Sequence, residues 1–139
     1  TLDGLAFNLA FAKGLICPIM DARRQQVYTS VYKWSEKGLT RLEEYMALPV
    51  RDLISLLDKW DEPVNFCGDG TLVYRDIIEK EMGNRAVFAP PTHALQRASS
   101  IAWLALEKAL EGQVLKYWEL KPFYLRKSQA EQKFGSFDD

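Results

Sequence analysis

The stretch "DARRQQVY", Asp21 to Tyr28, sets an aspartate and two arginines directly before an aromatic, β-branched run. Arginine holds carboxylates or phosphates through two parallel N–H bonds, and aspartate accepts backbone N–H groups in turns. The chemistry allows a phosphate contact, a protein contact or a charged turn between two strands. A second candidate is "FCGDGTLVY", Phe66 to Tyr74, where Gly68 and Gly70 lie between an apolar strand pattern and a helical one. Such a turn can bring backbone N–H groups to a phosphate. The dinucleotide fingerprint, however, needs a third glycine three residues after Gly70; that position is Val73, and no Walker lysine follows. The pattern reads as a tight strand-to-helix turn whose glycines supply unusual φ angles, with a degenerate nucleotide edge as the alternative.

The other residues able to do chemistry are few. His93 is the only histidine, which excludes two-histidine catalysis and a histidine-based metal cage. It follows "PPT", so Thr92 reads as a helix N-cap and His93 as an exposed first-turn residue. No GxSxG-type nucleophile motif is present. No catalytic, cofactor-binding or metal-binding residue is assigned. Cys17 and Cys67 each sit in an apolar run and read as buried, reduced thiols. Arg75, Asp76, Glu79, Lys80 and Glu81 fall at helical spacings of three and four, as solvated surface pairs do. Near the end, "KPFYLRKSQAE" places Phe123, Tyr124 and Arg126 together, either as a segment docked on the core or as a strip facing a partner.

The elements that would position these residues follow from periodicity. Leu2, Leu5, Ala6, Leu9 and Ala10 predict a helix over 2–13, with Gly14 as its cap. "LICPIM" predicts a short strand, and Pro18 suits an edge or a strand start. "QQVYTSVYKW" alternates with period two and predicts a second strand; "LTRLEEYMAL" predicts a third, antiparallel one. Pro49 opens a helix with Leu53, Ile54 and Leu57 inward. A strand "PVNFCG", a helix with Tyr74, Ile77 and Ile78 inward, a strand "RAVFA" and a long helix from "PPTHAL" to Gly112 complete the order. In that last helix Leu95, Ala98, Ile101, Ala102, Ala105, Leu106 and Ala109 form an apolar stripe. Three leading strands followed by alternating helices and strands predict an α/β fold with a mixed sheet. At 139 residues with 47% hydrophobic content, the chain is one domain by length and has ample core material. Its net charge of −1 weighs against a dedicated nucleic-acid binder. No apolar run approaches the ~20 residues of a membrane span.

"TLDGLAFNL", "ICPIMDARRQQVYTSVY", "FCGDG" and "PFYLRKSQAE" occur in that order, and together they resemble the C-terminal half of the bacterial TsaB (YeaZ) family of tRNA threonylcarbamoyladenosine biosynthesis proteins. The resemblance implies an actin-like, RNase H-like architecture of two facing lobes. It implies a role in making N6-threonylcarbamoyladenosine on tRNA, as a non-catalytic relative that supports a TsaD-type partner and, with a TsaE-type ATPase, completes a complex. It also implies a cytoplasmic location, no cofactor and only indirect contact with tRNA; the older glycoprotease label finds no nucleophile, base or zinc constellation. The family's N-terminal lobe has no counterpart here, so residues 1–139 are expected to be the C-terminal, supporting lobe, with a polar tail from roughly 128 to 139. Dimerisation and the main partner contact are expected on the missing lobe. Asp21 to Arg24 then fall where active relatives of the fold hold a glycine-containing phosphate loop. Ala22, Arg23 and Arg24 favour a retired site, a structural turn whose arginines are candidate partner contacts together with Phe123, Tyr124 and Arg126. An ATP-binding enzyme lobe and a direct tRNA-binding module are the competing readings.

Overall fold

A computed structural model of the chain describes residues 1–121 and Leu125. Its sheet is built around β1 (Leu15–Asp21), whose first five residues are buried. One edge of β1 pairs antiparallel with β2 (Gln26–Thr29) and β3 (Tyr32–Ser35). The other pairs parallel with β6 (Val64–Cys67), which in turn pairs parallel with β7 (Ala86–Phe88). Beyond β2 and β3 lie β5 (Met46–Pro49) and β4 (Gly38–Arg41), both antiparallel. The result is a mixed α/β sheet, with its antiparallel strands first in the chain and its parallel strands after.

The second and third predicted strands exist but are each interrupted. Extending the Ile16↔Tyr32 pairing by three residues arrives at Ile19↔Thr29, so β2 and β3 are one strand in one register. The interruption lies opposite Cys17 and Pro18. Proline has no N–H to give a ladder bond, so the Pro18 carbonyl is instead taken by the Thr29 hydroxyl at 2.8 Å. Ser30 sends its hydroxyl to the Glu43 carbonyl. This corrects the expectation that Pro18 marks an edge. It sits in the central strand, at the point where the ladder is broken. Beyond it, three residues separate Tyr32 from Thr29 while five separate their partners Arg41 and Met46. The extra residues form a bulge in which Leu42 and Glu43 both donate to the Val31 carbonyl.

Alternation along β1 divides the core. Leu15, Cys17 and Ile19 join the face covered by α2 (Val50–Leu57) and α3 (Gly70–Met82), with Leu53, Leu57, Phe66 and Ile78 fully buried there. Ile16 faces the other way, onto α1 (Leu2–Phe7), beside Ala6 and Tyr32. α1 is shorter than the 2–13 helix expected. Past Phe7 the chain continues in turns, with Asn8, Leu9 and Ala10 bonding three residues back, and Phe11 takes φ 67. Gly14 still has a role, but one of close approach: a Cβ there would lie 2.3 Å from the Pro63 oxygen.

The long final helix is split into α4 (Pro91–Ala94) and α5 (Ala98–Leu110). The carbonyls of His93 and Leu95 accept from the Asn8 side-chain amide at 3.2 and 2.7 Å, and that of Ala94 accepts from the Gly68 N–H at 2.6 Å. Three successive carbonyls are thus drawn out of the helical ladder. Asn8 also receives the Ser100 hydroxyl at 2.6 Å, which ties α5 to the end of α1. The apolar stripe is largely uncovered: Ile101 and Leu106 are about half exposed, and Ser100 is the only buried residue of α5. α5 rests on α1 alone among the larger element contacts, at Gly4, where a Cβ would meet Ile101 at 2.9 Å.

Candidate functional site

Because β1 and β6 run parallel, the turns that follow them emerge side by side at one end of the sheet, the end where open α/β sheets bind ligands. After β6, Gly68 takes φ +97, and a Cβ on it would fall 2.1 Å from the Ile19 oxygen. A Cβ on Gly70 would fall 3.0 Å from the same atom. The glycines are therefore required by the approach of this turn to β1. The N–H groups of Gly68, Thr71 and Leu72 are bonded to the carbonyls of Ala94, Gly68 and Asp69, and the Thr71 hydroxyl also bonds the Gly68 carbonyl. Val73, where a dinucleotide fingerprint would carry glycine, is more than half exposed.

After β1, Arg23, Arg24 and Gln25 take φ of 64, 52 and 60 in succession. Left-handed conformations suit glycine and cost other residues roughly 1 kcal/mol or more each. The turn is held from several sides. The Asp21 carboxylate accepts the Arg23 N–H at 2.9 Å and the Tyr74 hydroxyl of α3 at 2.8 Å. The Asp21 N–H reaches the Asp69 carboxylate at 3.3 Å. Ala22 and Gln26 close the hairpin, and the Gln25 carbonyl accepts the first N–H of α2, from Val50, at 3.0 Å. Burial and the bond to Asp21 push the Tyr74 hydroxyl up to about 12, so it stays a donor. The arginine and glutamine side chains themselves are in solvent. Sequence reasoning found Asp21, Arg23 and Arg24 but missed Tyr74 and Asp69 as their supports. Asp69 lies within the glycine motif and Tyr74 one helical turn beyond it, which was the available signal.

The remaining candidates lie elsewhere. His93 meets Thr92 at 2.9 Å through Nδ1, while α4 is capped by Pro90 and not by Thr92. Cys17 and Cys67 are free and buried; burial pushes the Cys17 thiol up to about 12 and that of Cys67 higher still, which keeps both protonated and poorly nucleophilic. Arg75 pairs with Glu79 as spacing predicted, whereas Glu81 pairs across to Arg51 of α2. A polar knot not foreseen from sequence joins α1 to the sheet: both oxygens of Asp3 accept tyrosine hydroxyls, Tyr32 and Tyr45, each at 2.6 Å. Burial raises the Asp3 carboxyl, but the two hydroxyls together with the positive charges of the N-terminal amine and Lys108 hold the group below its usual range. This knot borders an open groove of about 1520 Å³ between α1, the β3–β4 hairpin and α5, floored by Phe7, Phe11, Trp34 and Ile101. Among the described residues, no three His, Cys, Asp or Glu side chains gather as a metal site would require, and no helix is long and apolar enough to cross a membrane. Phe123, Tyr124 and Arg126 lie outside the described residues.

Known proteins resemble this chain in sequence and in fold. The family model for TsaD, tRNA N6-adenosine threonylcarbamoyltransferase, matches residues 1–134. The tRNA threonylcarbamoyladenosine biosynthesis protein TsaB of Bacillus subtilis (strain 168) is 33% identical over 134 residues, covering 96% of this chain and 57% of that protein. The chain thus spans little more than half the length of that curated relative. A Pseudomonas aeruginosa protein with similarity to peptidase YEAZ superposes with a TM-score of 0.68 at 20% identity, over 90% of this chain and 56% of its own. YeaZ from Pseudomonas aeruginosa superposes with a TM-score of 0.61 at 17% identity, over 88% and 56%. At such identities these two structures speak for the fold.

Proposed function

The chain belongs to the TsaD family of tRNA N6-adenosine threonylcarbamoyltransferases, with TsaB among its relatives, and from that premise we propose that it is a non-catalytic scaffold lobe required for N6-threonylcarbamoyladenosine modification of tRNA. It acts in the cytoplasm beside a TsaD-type catalytic protein and a TsaE-type ATPase, and it is the C-terminal lobe of a two-lobed protein whose other lobe carries the dimer contact. The observation that carries the non-catalytic part is the state of the two turns. Gly68 and Gly70 are used against the Ile19 backbone, the Gly68 N–H is bonded to Ala94, and Asp21 is engaged with Arg23 and Tyr74. Phosphate cradles need free, converging N–H groups, and this arrangement offers bulky arginines instead. The inert thiols and the lone His93 weigh against a peptidase.

A reconstitution tests the reading. The chain alone, given tRNA and the activated threonylcarbamoyl donor, is expected to make no modified tRNA. The TsaD-type protein with the TsaE-type ATPase is expected to make more when the full protein is present. Calorimetric titration with ATP is expected to show no saturable binding below millimolar concentration. Modification by the chain alone, or submillimolar ATP binding, would establish an active site where this reading has none.

A further inference from the structure

We infer that the Asp21–Gln25 turn is a rigid guanidinium contact, presenting Arg23 and Arg24 to carboxylates on a protein partner, with Asp21 as the residue that holds it in shape. The inference rests on the scaffold reading, which identifies that partner as the TsaD-type protein.

Three left-handed residues in succession, none of them glycine or asparagine, are an unfavourable way to close a hairpin. The strain brings no core packing, because all three side chains point into solvent. What it does bring is placement. The turn is bonded to α3 through Tyr74, to the β6–α3 turn through Asp69, and to the start of α2 through Val50. A guanidinium carried on a fixed backbone loses less freedom when it binds than one on a mobile loop. Neither Arg23 nor Arg24 makes an ion pair or hydrogen bond through its guanidinium among the described residues, unlike Arg41, Arg51, Arg75 and Arg85.

The charge around the turn selects the kind of partner. Asp69 is exposed beside it, Asp21 lies within it, and Asp52 sits in the first turn of α2, whose first N–H bonds Gln25. A nucleic-acid backbone, negative along its length, would meet those carboxylates as well as the arginines. A protein surface of mixed charge can set its carboxylates against Arg23 and Arg24 and its cations against the aspartates. The chain's net charge of −1 agrees with the second case.

The test measures affinity of the full protein for the TsaD-type protein in low and high salt, alongside affinity for tRNA. Arg23→Glu with Arg24→Glu is expected to weaken partner binding about tenfold or more in low salt and to flatten its salt dependence, with tRNA affinity unchanged. Asp21→Ala is expected to weaken it by a smaller factor. Adding the arginine changes to Asp21→Ala should then cost less than they cost alone, because the aspartate acts through the arginines. A merely structural aspartate would give additive effects and overturn its positioning role. Gln25→Gly, which relieves strain without removing charge, controls for folding: melting temperature does not fall and binding stays close to wild type. If the wild type binds the partner and the charge reversal changes nothing, the contact assignment falls while the scaffold reading stands. If the reversal lowers tRNA affinity alone, the turn reads nucleic acid and the inference is overturned. If the wild type does not bind the partner at all, the scaffold reading itself falls, and the inference with it.

Discussion

At the turn after β6, Gly68 takes φ +97 where a Cβ would lie 2.1 Å from the Ile19 oxygen. At the turn after β1, a few residues away in space, Arg23, Arg24 and Gln25 take φ of 64, 52 and 60 with their side chains in solvent. In the first turn glycine is demanded by backbone crowding. In the second nothing demands the residues present, and glycine would fit the backbone better. Sterics therefore explain one turn completely and leave the side chains of the other without a structural reason. Strain kept where it could be relieved directs attention to what the strained residues present.

The comparison can be broken at its strongest point first. Gly68→Ala should destabilise by about 4 kcal/mol or more, since both the φ angle and the Ile19 contact oppose it; thermal unfolding would show a large drop in melting temperature or no folded protein. A melting temperature near wild type would mean that the two turns do not differ in kind. Next in size, Tyr74→Phe removes the hydroxyl that Asp21 accepts and should cost about 1 kcal/mol, with faster amide exchange at Arg23. Alkaline titration sharpens the same point. Burial and the bonds to Asp21 and Asp3 raise Tyr74 and Tyr45 to about 12, from an ordinary value of 10. A raised acid is worth stability that is complete below pH 10 and is lost as pH climbs through 12. The chain should therefore weaken over that interval, and Tyr74→Phe should weaken less steeply. The smallest effect belongs to Gln25→Gly: relief of a left-handed glutamine against a more flexible unfolded chain should raise stability by about 0.5 kcal/mol, seen as a small rise in melting temperature.

The succession of strands and helices along the chain, the inward faces of α2 and α3, and the turn character of Asp21 were legible because period-two and period-3.6 patterns report what each face must bury. Pro18 misled because its missing N–H is accommodated by a gap in the partner strand, which no local pattern reveals. The break between α4 and α5 was hidden for a related reason. The groups that draw out the carbonyls of His93, Ala94 and Leu95 belong to Asn8 and Gly68, distant in sequence. The stripe on α5 identified a helix with an apolar face but could not say that α1 covers so little of it. The left-handed turn carried no signal at all, since arginine and glutamine are poor markers of positive φ.

The Asn8 knot has a consequence in time. Its bonds to His93, Leu95 and Ser100 span 85, 87 and 92 residues of sequence, so each closes a long loop. During synthesis α1 leaves the ribosome ahead of the sheet strands, yet its partner α5 follows only after nearly a hundred further residues. The hairpins of β1 to β5 can close from neighbouring residues in the meantime. α1 is thus made before the sheet it packs on yet fixed only after it, and until α5 arrives its free side stays open to any competing surface.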